Sequence, residues 1–157
     1  MRTSGILLPI FSLPNSYGIG TLGKEAYEFV DFLKASKQTY WQVLPIGPTS
    51  YGDSPYQSFS VFAGNPYFID FDLLKDDGLL EKSDYDHLQD ESLSIDYGKL
   101  YNTRYLVLKK AFSNFDIKLL KSFEKENSDW LEDFALFMTL KDYHNGVSFL
   151  EWEDCYK

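Results

Sequence analysis

Gly5-Ile6-Leu7-Leu8-Pro9, Lys24-Glu25-Ala26-Tyr27-Glu28-Phe29-Val30-Asp31-Phe32-Leu33-Lys34-Ala35 and Tyr40-Trp41-Gln42-Val43-Leu44-Pro45 are the three stretches whose reading decides the fold. The first and third are continuous apolar runs, each stopped by a proline. Runs of this kind, without alternation, predict strands buried on both faces, as in parallel sheets. Between them Ala26, Phe29, Val30 and Leu33 recur at helical spacing, with Glu25, Glu28 and Asp31 on the other side, which predicts an amphipathic helix over 24–35. The first 45 residues therefore read as one βαβ unit.

Working outward, Gly18-Ile19-Gly20-Thr21-Leu22-Gly23 matches the G-x-G-x-x-G pattern. A dinucleotide site needs that pattern directly after a strand and an acid roughly 20 residues further on. Leu13 to Tyr17 intervene, and no acid occurs between Asp31 and Asp53. The motif is expected to be a tight turn that feeds the helix.

Residues 46–72 show no helical period and hold Gly47, Pro48, Gly52, Pro55, Gly64 and Pro66. A loop of this length in a compact domain is usually functional. Its segment Tyr51-Gly52-Asp53-Ser54-Pro55-Tyr56-Gln57-Ser58-Phe59-Ser60 mixes hydroxyls, an amide, a carboxylate and two tyrosines. Short polar groups suit sugar hydroxyls and aromatic faces suit the C–H side of a sugar ring; a packed loop with core tyrosines is the plain alternative. Asp53 has no second acid near it in sequence and is expected to cap the turn through backbone amides. From Leu73 on the character is helical. Asp96 is expected to cap a helix carrying Leu100, Tyr101, Tyr105, Leu108 and Phe112. Asp116 should cap a short one with Ile117, Leu120 and Phe123, and Ser128 another with Trp130, Leu131, Phe134, Phe137 and Met138, closed by Gly146. Residues 76–95, acidic and serine-containing, read as a surface connection.

The net charge of −9 and the lack of any basic cluster beyond Lys109-Lys110 argue against nucleic-acid binding and against anionic membranes. No run of about eighteen apolar residues occurs, so no membrane span is expected. The apolar start Ile6 to Phe11 is too short for a secretory signal and contains Pro9. Cys155 is the single cysteine, which fits a reducing cytoplasm. With His87 and His144 it makes no metal site. The two strands are too few for a stable parallel sheet, and Phe149 to Lys157 carry no cap or turn, so the sequence reads as unfinished.

At Tyr40-Trp41-Gln42-Val43-Leu44-Pro45-Ile46-Gly47-Pro48-Thr49, Tyr51-Gly52-Asp53-Ser54-Pro55-Tyr56-Gln57-Ser58 and Ala63-Gly64-Asn65-Pro66 the chain resembles the amylomaltase or disproportionating-enzyme family of 4-α-glucanotransferases. Ser12-Leu13-Pro14, Tyr17 to Gly20, Asp96-Tyr97, Leu100-Tyr101, Trp130 to Asp133 and Ala135 to Met138 extend the likeness over nearly the whole chain. The resemblance implies an α/β fold: the N-terminal part of a TIM (β/α)8 barrel, with a helical subdomain inserted. Residues 1–72 would start the barrel, with the glucan-binding loop at 46–64, and 73–157 would lie mainly in the insertion. A barrel of this kind needs ~250 residues, so it is incomplete in this chain. The family's reaction is retaining transfer of α-1,4-glucan segments between maltooligosaccharides, with no cofactor and no metal. By the family's pattern Ser54, Tyr56 and Asp53 bind substrate, and Tyr51 and Tyr101 form a second glucan site. The family's catalytic carboxylates lie beyond residue 157, so no catalytic residue is assigned, and the chain alone is expected to be inactive. A non-catalytic glucan-binding module is the alternative.

Overall fold

The computed structural model describes residues 2–90 and 92–156; Met1, Glu91 and Lys157, which bound or interrupt some of the segments above, lie outside the described residues. The chain divides into two compact units, residues 1–115 and 116–157.

The first unit opens with the expected βαβ unit. Strand β1 (Gly5–Leu7) pairs in parallel with β2 (Tyr40–Gln42), in the register Gly5 to Tyr40, Ile6 to Trp41 and Leu7 to Gln42. Helix α1 (Lys24–Ala35) connects them. It buries Ala26 and Leu33, and its Phe29 meets the Trp41 ring edge-on at 4.9 Å. The Trp41 indole N–H donates to the Leu8 carbonyl at 2.7 Å, which ties the end of β1 to β2. The expectation of strands buried on both faces is corrected: Leu7 is 54% exposed and Tyr40 60%. Only the Ile6–Trp41 side of the ribbon has helix α1 packed against it, so the apolar residues of the opposite side meet solvent.

The glycine motif is the turn expected of it. Gly18 has φ +82°, and a Cβ at Gly20 would fall 2.1 Å from the Ile10 carbonyl oxygen. Gly23 is the N-cap of α1, against the carboxylate of Asp70. That carboxylate is the main long-range polar link of the unit. Its Oδ2 accepts from the Thr21 hydroxyl at 2.6 Å and its Oδ1 from the Leu73 amide at 3.0 Å, so one buried side chain both caps helix α2 (Phe71–Asp76) and holds the glycine turn.

Helix α3 (Tyr97–Asn114) starts at Asp96, whose side chain accepts from the Lys99 amide at 2.9 Å, as expected. Its buried face matches the expected stripe only in part: Leu100 is buried, and Tyr105 and Leu108 are half-buried against the two clusters. Leu100, Arg104, Val107 and Ala111 are buried, while Tyr101 and Phe112 point outward. The expected stripe followed aromatic size, whereas the buried stripe contains a cation that reads from sequence as a surface residue.

Two apolar clusters fill this unit. Ile10, Leu13, Ile19, Ala26, Tyr67, Phe68 and Leu100 form one, with Phe29 and Trp41 against it. Tyr17, Phe71, Leu80, Tyr85, Leu88, Val107 and Ala111 form the other. The reading of 76–95 as a surface connection is thereby corrected in part, because Leu80, Tyr85 and Leu88 supply core from short 3-10 turns at Lys82–Asp84 and Asp86–Leu88. His87 is exposed, as expected.

In the second unit Asp116 accepts from the Lys118 amide at 3.0 Å ahead of α4 (Leu120–Glu126). Helix α5 (Leu131–Tyr143) begins without a side-chain cap, and the Ser128 hydroxyl donates backward to the Lys125 carbonyl instead of capping it. At its end Gly146 N–H reaches the Lys141 carbonyl at 2.7 Å and Asn145 N–H the Asp142 carbonyl at 3.0 Å. These paired bonds, with Asn145 and Gly146 at positive φ, form a Schellman closure. His144 stacks on the buried Trp152 at 5.1 Å.

Candidate functional site

The loop over 46–64 is pinned rather than loose. At its neck the Asn65 amide donates to the Ile46 carbonyl at 2.8 Å, and the buried Asn65 side chain accepts from the Tyr67 amide. Further out, Thr49 bridges to Ser58 in antiparallel sense and Ser50 N–H donates to the Gln57 carbonyl at 3.2 Å. Gly47 is required here because a Cβ would lie 2.4 Å from the Ser58 hydroxyl oxygen. On the return limb the Ser58 hydroxyl donates to the Ser60 carbonyl at 2.7 Å, and the Ser60 hydroxyl accepts from Phe62 N–H and Ala63 N–H at 3.1 and 3.0 Å.

The apex consists of two consecutive turns. The Asp53 amide donates to the Ser50 carbonyl at 3.0 Å across Gly52 (φ +92°), with Asp53 itself at φ +54°. Next the Gln57 amide donates to the Ser54 carbonyl, and the Ser54 hydroxyl oxygen accepts from the Tyr56 amide at 3.3 Å. That bond uses an oxygen lone pair and leaves the hydroxyl proton free to be donated. The Tyr51 side chain is wholly exposed and Tyr56 is 72% exposed. The apex thus offers two aromatic faces and a hydroxyl on a backbone fixed by its own hydrogen bonds.

Asp53 departs from its expected role. Burial raises its carboxyl above the usual carboxylate range, and a hydrogen bond with the Thr49 side chain partly offsets this. The capping expected of Asp53 falls instead to its neighbour, since the Ser54 hydroxyl accepts from the Tyr56 amide. Its charge also acts on Tyr67 and Tyr97, both already raised by their own burial, so these hydroxyls stay protonated well above neutral pH.

Those tyrosines belong to a group that the sequence reading assigned elsewhere. Tyr67 lies 6.3 Å from Tyr97 and 5.9 Å from Tyr105, ring centre to ring centre, and Tyr105 meets Tyr101 edge-on at 6.1 Å. Tyr97, Tyr101 and Tyr105 recur every fourth residue, so α3 presents them along one line. That spacing was the available signal; Tyr97 and Tyr105 pack half-buried against the first cluster, and Tyr101 lies exposed beyond them. Tyr101 is exposed at the outer edge of the group and makes no ring contact with Tyr51 among the described residues.

Several other carboxylates of this unit are committed to partners within it. Asp70 serves Thr21 and Leu73, Asp72 accepts from Tyr85 and Lys82, and Asp90 accepts from Lys99 at 2.6 Å. The Lys99 ammonium and the Ser92 amide draw the Asp90 carboxyl down to about 2. A folded value below the unfolded one means that this pair stabilises the fold above the unfolded carboxylate pKa, and that the benefit is lost as the pH falls through about 2. In a carbon-13 titration the Asp90 carboxyl is expected to change near that value and to return toward the ordinary range in Lys99→Met; an unshifted Asp90 in the unmodified chain would contradict the ion pair.

Among the described residues no helix is long and apolar enough to cross a membrane. The 4-alpha-glucanotransferase family model matches residues 8–157. The chain is 50% identical over 159 residues to a 4-alpha-glucanotransferase of Streptococcus pneumoniae, covering 98% of this chain and 32% of the relative. It is 53% identical over 148 residues to one of Clostridium butyricum, covering 91% and 30%. An amylomaltase from Streptococcus agalactiae, solved in complex with acarbose, superposes with a TM-score of 0.92 at 45% identity, over 98% of this chain and 32% of that one. The chain thus spans about a third of the length of the curated relatives it matches. With nearly its whole length matched in sequence and in fold, the chain belongs to the 4-alpha-glucanotransferase family.

Proposed function

We propose that this chain supplies the N-terminal part of a 4-α-glucanotransferase that moves α-1,4-glucan segments between maltooligosaccharides with retention of configuration. The observation that carries the reading is the apex over Tyr51 to Gln57, where the half-buried Ser54 hydroxyl and two exposed tyrosine faces sit on a pinned backbone within a chain of this family. In this reading β1, α1 and β2 begin a TIM barrel, residues 1–72 belong to the barrel and 73–157 mainly to an inserted helical subdomain. The loop that follows β2 then lies at the carboxyl ends of the strands, where barrel enzymes place their active sites. Ser54, Tyr56 and Asp53 bind the sugars at the reacting centre, and Tyr51 with Tyr101 binds a glucan chain at a distance from it. A carboxylate supplied by later sequence forms the covalent glucosyl intermediate, and a sugar hydroxyl of a second glucan takes the glucosyl group in place of water. No metal or organic cofactor enters this chemistry, and the setting is the cytoplasm.

A glucan-binding role without catalysis is the second reading. It is favoured by the commitment of Asp70, Asp72 and Asp90 to structural partners, which leaves no free pair of these acids for acid/base work.

The test is a chimera in which this chain replaces the matching part of the Streptococcus pneumoniae relative. Disproportionation of maltotriose by the chimera is expected; a folded chimera without transfer, beside an active parent, would overturn the proposal. Within the chimera Tyr56→Ala should impair transfer more than Tyr51→Ala. A tyrosine beside the reacting sugars positions them for attack, so its loss lowers turnover as well as affinity. A remote one alters affinity for long chains by roughly threefold to tenfold, the worth of one stacked ring. Steady-state kinetics on maltotriose and amylose, with the melting temperature of each variant, separates the roles. Transfer crippled by Tyr51→Ala and spared by Tyr56→Ala, with both variants folded, would reverse them.

A further inference from the structure

Asn145 and Gly146, which close α5, both lie in the left-handed region, at φ +55° and +78°. Asn145 is the only asparagine of the chain that precedes a glycine; the others precede Ser16, Pro66, Thr103, Phe115 and Ser128. In the order Asn-Gly a backbone nitrogen most readily reaches the side-chain carbonyl carbon before it, because no Cβ stands in the way and the backbone turns freely.

The structure sorts these asparagines further. Pro66 has no N–H, so Asn65 lacks a nucleophile. Asn15 and Asn127, which precede the small Ser16 and Ser128, have carboxamides held at both ends. Asn15 Nδ2 donates to the Thr21 hydroxyl at 3.1 Å and its Oδ1 accepts from the Tyr17 amide at 2.8 Å. Asn127 donates to the Phe123 carbonyl at 2.9 Å and accepts from the Trp130 indole N–H at 3.0 Å. Asn102 and Asn114 donate to the Gly98 and Leu79 carbonyls. Asn145, by contrast, is exposed, and its carboxamide makes no hydrogen bond among the described residues. Around Gly146 the space a Cβ would occupy is open.

One bond opposes reaction. The Gly146 N–H donates to the Lys141 carbonyl at 2.7 Å, so the attacking nitrogen is occupied while the helix end is closed. That closure rests on little core. Helices α4 and α5 bury no residue, and Trp152 is the sole buried side chain of the second unit among the described residues. Segments with so few buried contacts open locally at low free energy.

We propose that Asn145-Gly146 is a site of spontaneous deamidation, gated by the opening of the α5 closure. In the opened form the Gly146 nitrogen attacks Cγ of Asn145. The new C–N bond forms as the carboxamide C–N bond breaks, the proton of the attacking nitrogen leaves with the departing group as ammonia, and a cyclic imide remains. Water then adds to either imide carbonyl and opens the ring, giving aspartate or isoaspartate. Both products put a negative charge at the carboxyl end of α5, where the helix dipole disfavours it. Isoaspartate also routes the main chain through Cβ, so the Gly146 N–H and the Lys141 carbonyl lose their register. The next carbonyl, of Val147, accepts from the Trp152 indole at 3.3 Å, so the unit's buried ring loses an anchor. The reaction thus works as a slow timer that loosens the second unit.

The test is to hold the chain in warm, mildly alkaline buffer, with and without urea, and to follow each asparagine by peptide mapping with isoaspartate detection. Isoaspartate is expected at 145 in the folded sample, several-fold slower than in urea and ahead of Asn15 and Asn127. Asn145→Gln should abolish that signal, since glutamine would have to close a larger ring. In the converted fraction the Gly146 amide is expected to exchange its hydrogen faster than in the unconverted chain. Conversion confined to the urea sample, or earlier conversion at Asn15 or Asn127, would overturn the assignment of the site. Equal rates with and without urea would overturn the gating, and unchanged exchange at Gly146 after conversion would overturn the loosening.

Discussion

Gly20→Ala is expected to destabilise the first unit by about 3 kcal/mol or more, toward the severe end for a single added methyl group. The cause is shape. The added Cβ would stand 2.1 Å from the Ile10 carbonyl oxygen and 2.8 Å from both the amide and the carbonyl oxygen of Leu13. All three are backbone atoms, so no rotamer change relieves the clash. The segment they belong to is locked by its own bonds, Gly20 N–H to the Phe11 carbonyl and Leu13 N–H to the Ile10 carbonyl. Relief requires the glycine turn to move away from the segment at 10–13. That movement breaks the packing of Ile10, Leu13 and Ile19 and pulls Thr21 from Asp70. The control is Gly78→Ala. Gly78 sits at φ +75° with open space around the would-be Cβ, so only the left-handed backbone penalty of about 1–2 kcal/mol applies. Denaturant unfolding followed by circular dichroism, on the chain or on the chimera, compares them. Equal midpoints for the two variants would show that the close approach at Gly20 relaxes more easily than the backbone geometry allows.

This contrast also shows where sequence reading succeeds and where it stops. The βαβ unit was legible because periodicity and proline stops are local: β1, α1 and β2 fall where the apolar runs and the helical spacing put them. Asp96 and Asp116 were legible as caps for the same reason, since an N-cap is a contact across two or three residues. Ser128 failed because a serine ahead of a helix has a competing local bond, here backward to Lys125. The face of α3 was legible only in part, through Leu100, Tyr105 and Leu108, and the rest was hidden for a different reason. A helical pattern ranks residues by apolar character, and Arg104 enters the core only because Phe71 and the Ile69 carbonyl, more than thirty residues earlier, receive it. The Thr21–Asp70 bond, across 49 residues, is likewise invisible to any window. At the candidate site the residue types of Tyr51, Asp53, Ser54 and Tyr56 suited a sugar site and a packed loop alike. The partial burial of Asp53 and the tyrosine group around Tyr67 emerge only once the loop is folded over its neck.

The isolated 157-residue chain is expected to show no disproportionation of maltotriose, while the chimera that carries it transfers. The difference sought is all or nothing, since retaining transfer needs one carboxyl group to protonate the leaving oxygen and another to form the covalent intermediate, about 5–5.5 Å apart. The first unit offers no free pair among the acids its structure has recruited. The Asp53 carboxyl is raised by burial; Asp70, Asp72 and Asp90 are held by Thr21, by Tyr85 with Lys82, and by Lys99. A carboxylate already accepting hydrogen bonds from its own fold is fixed in direction, and at Asp72 and Asp90 it is also lowered in basicity, which does not suit an acid that must give and regain a proton. Binding is a separate matter, because the apex over Tyr51 to Gln57 is held by bonds internal to the loop and its neck. The same sample that fails to transfer should therefore still show changes at Tyr56 and Ser54 when maltotriose is titrated in, read as amide shifts by nuclear magnetic resonance. Glucose and longer maltodextrins released from maltotriose by the purified chain, free of host enzyme, would sink the division of labour proposed here. Amide shifts without any release, alongside a transferring chimera, would place binding in this chain and the chemistry in the sequence that completes it.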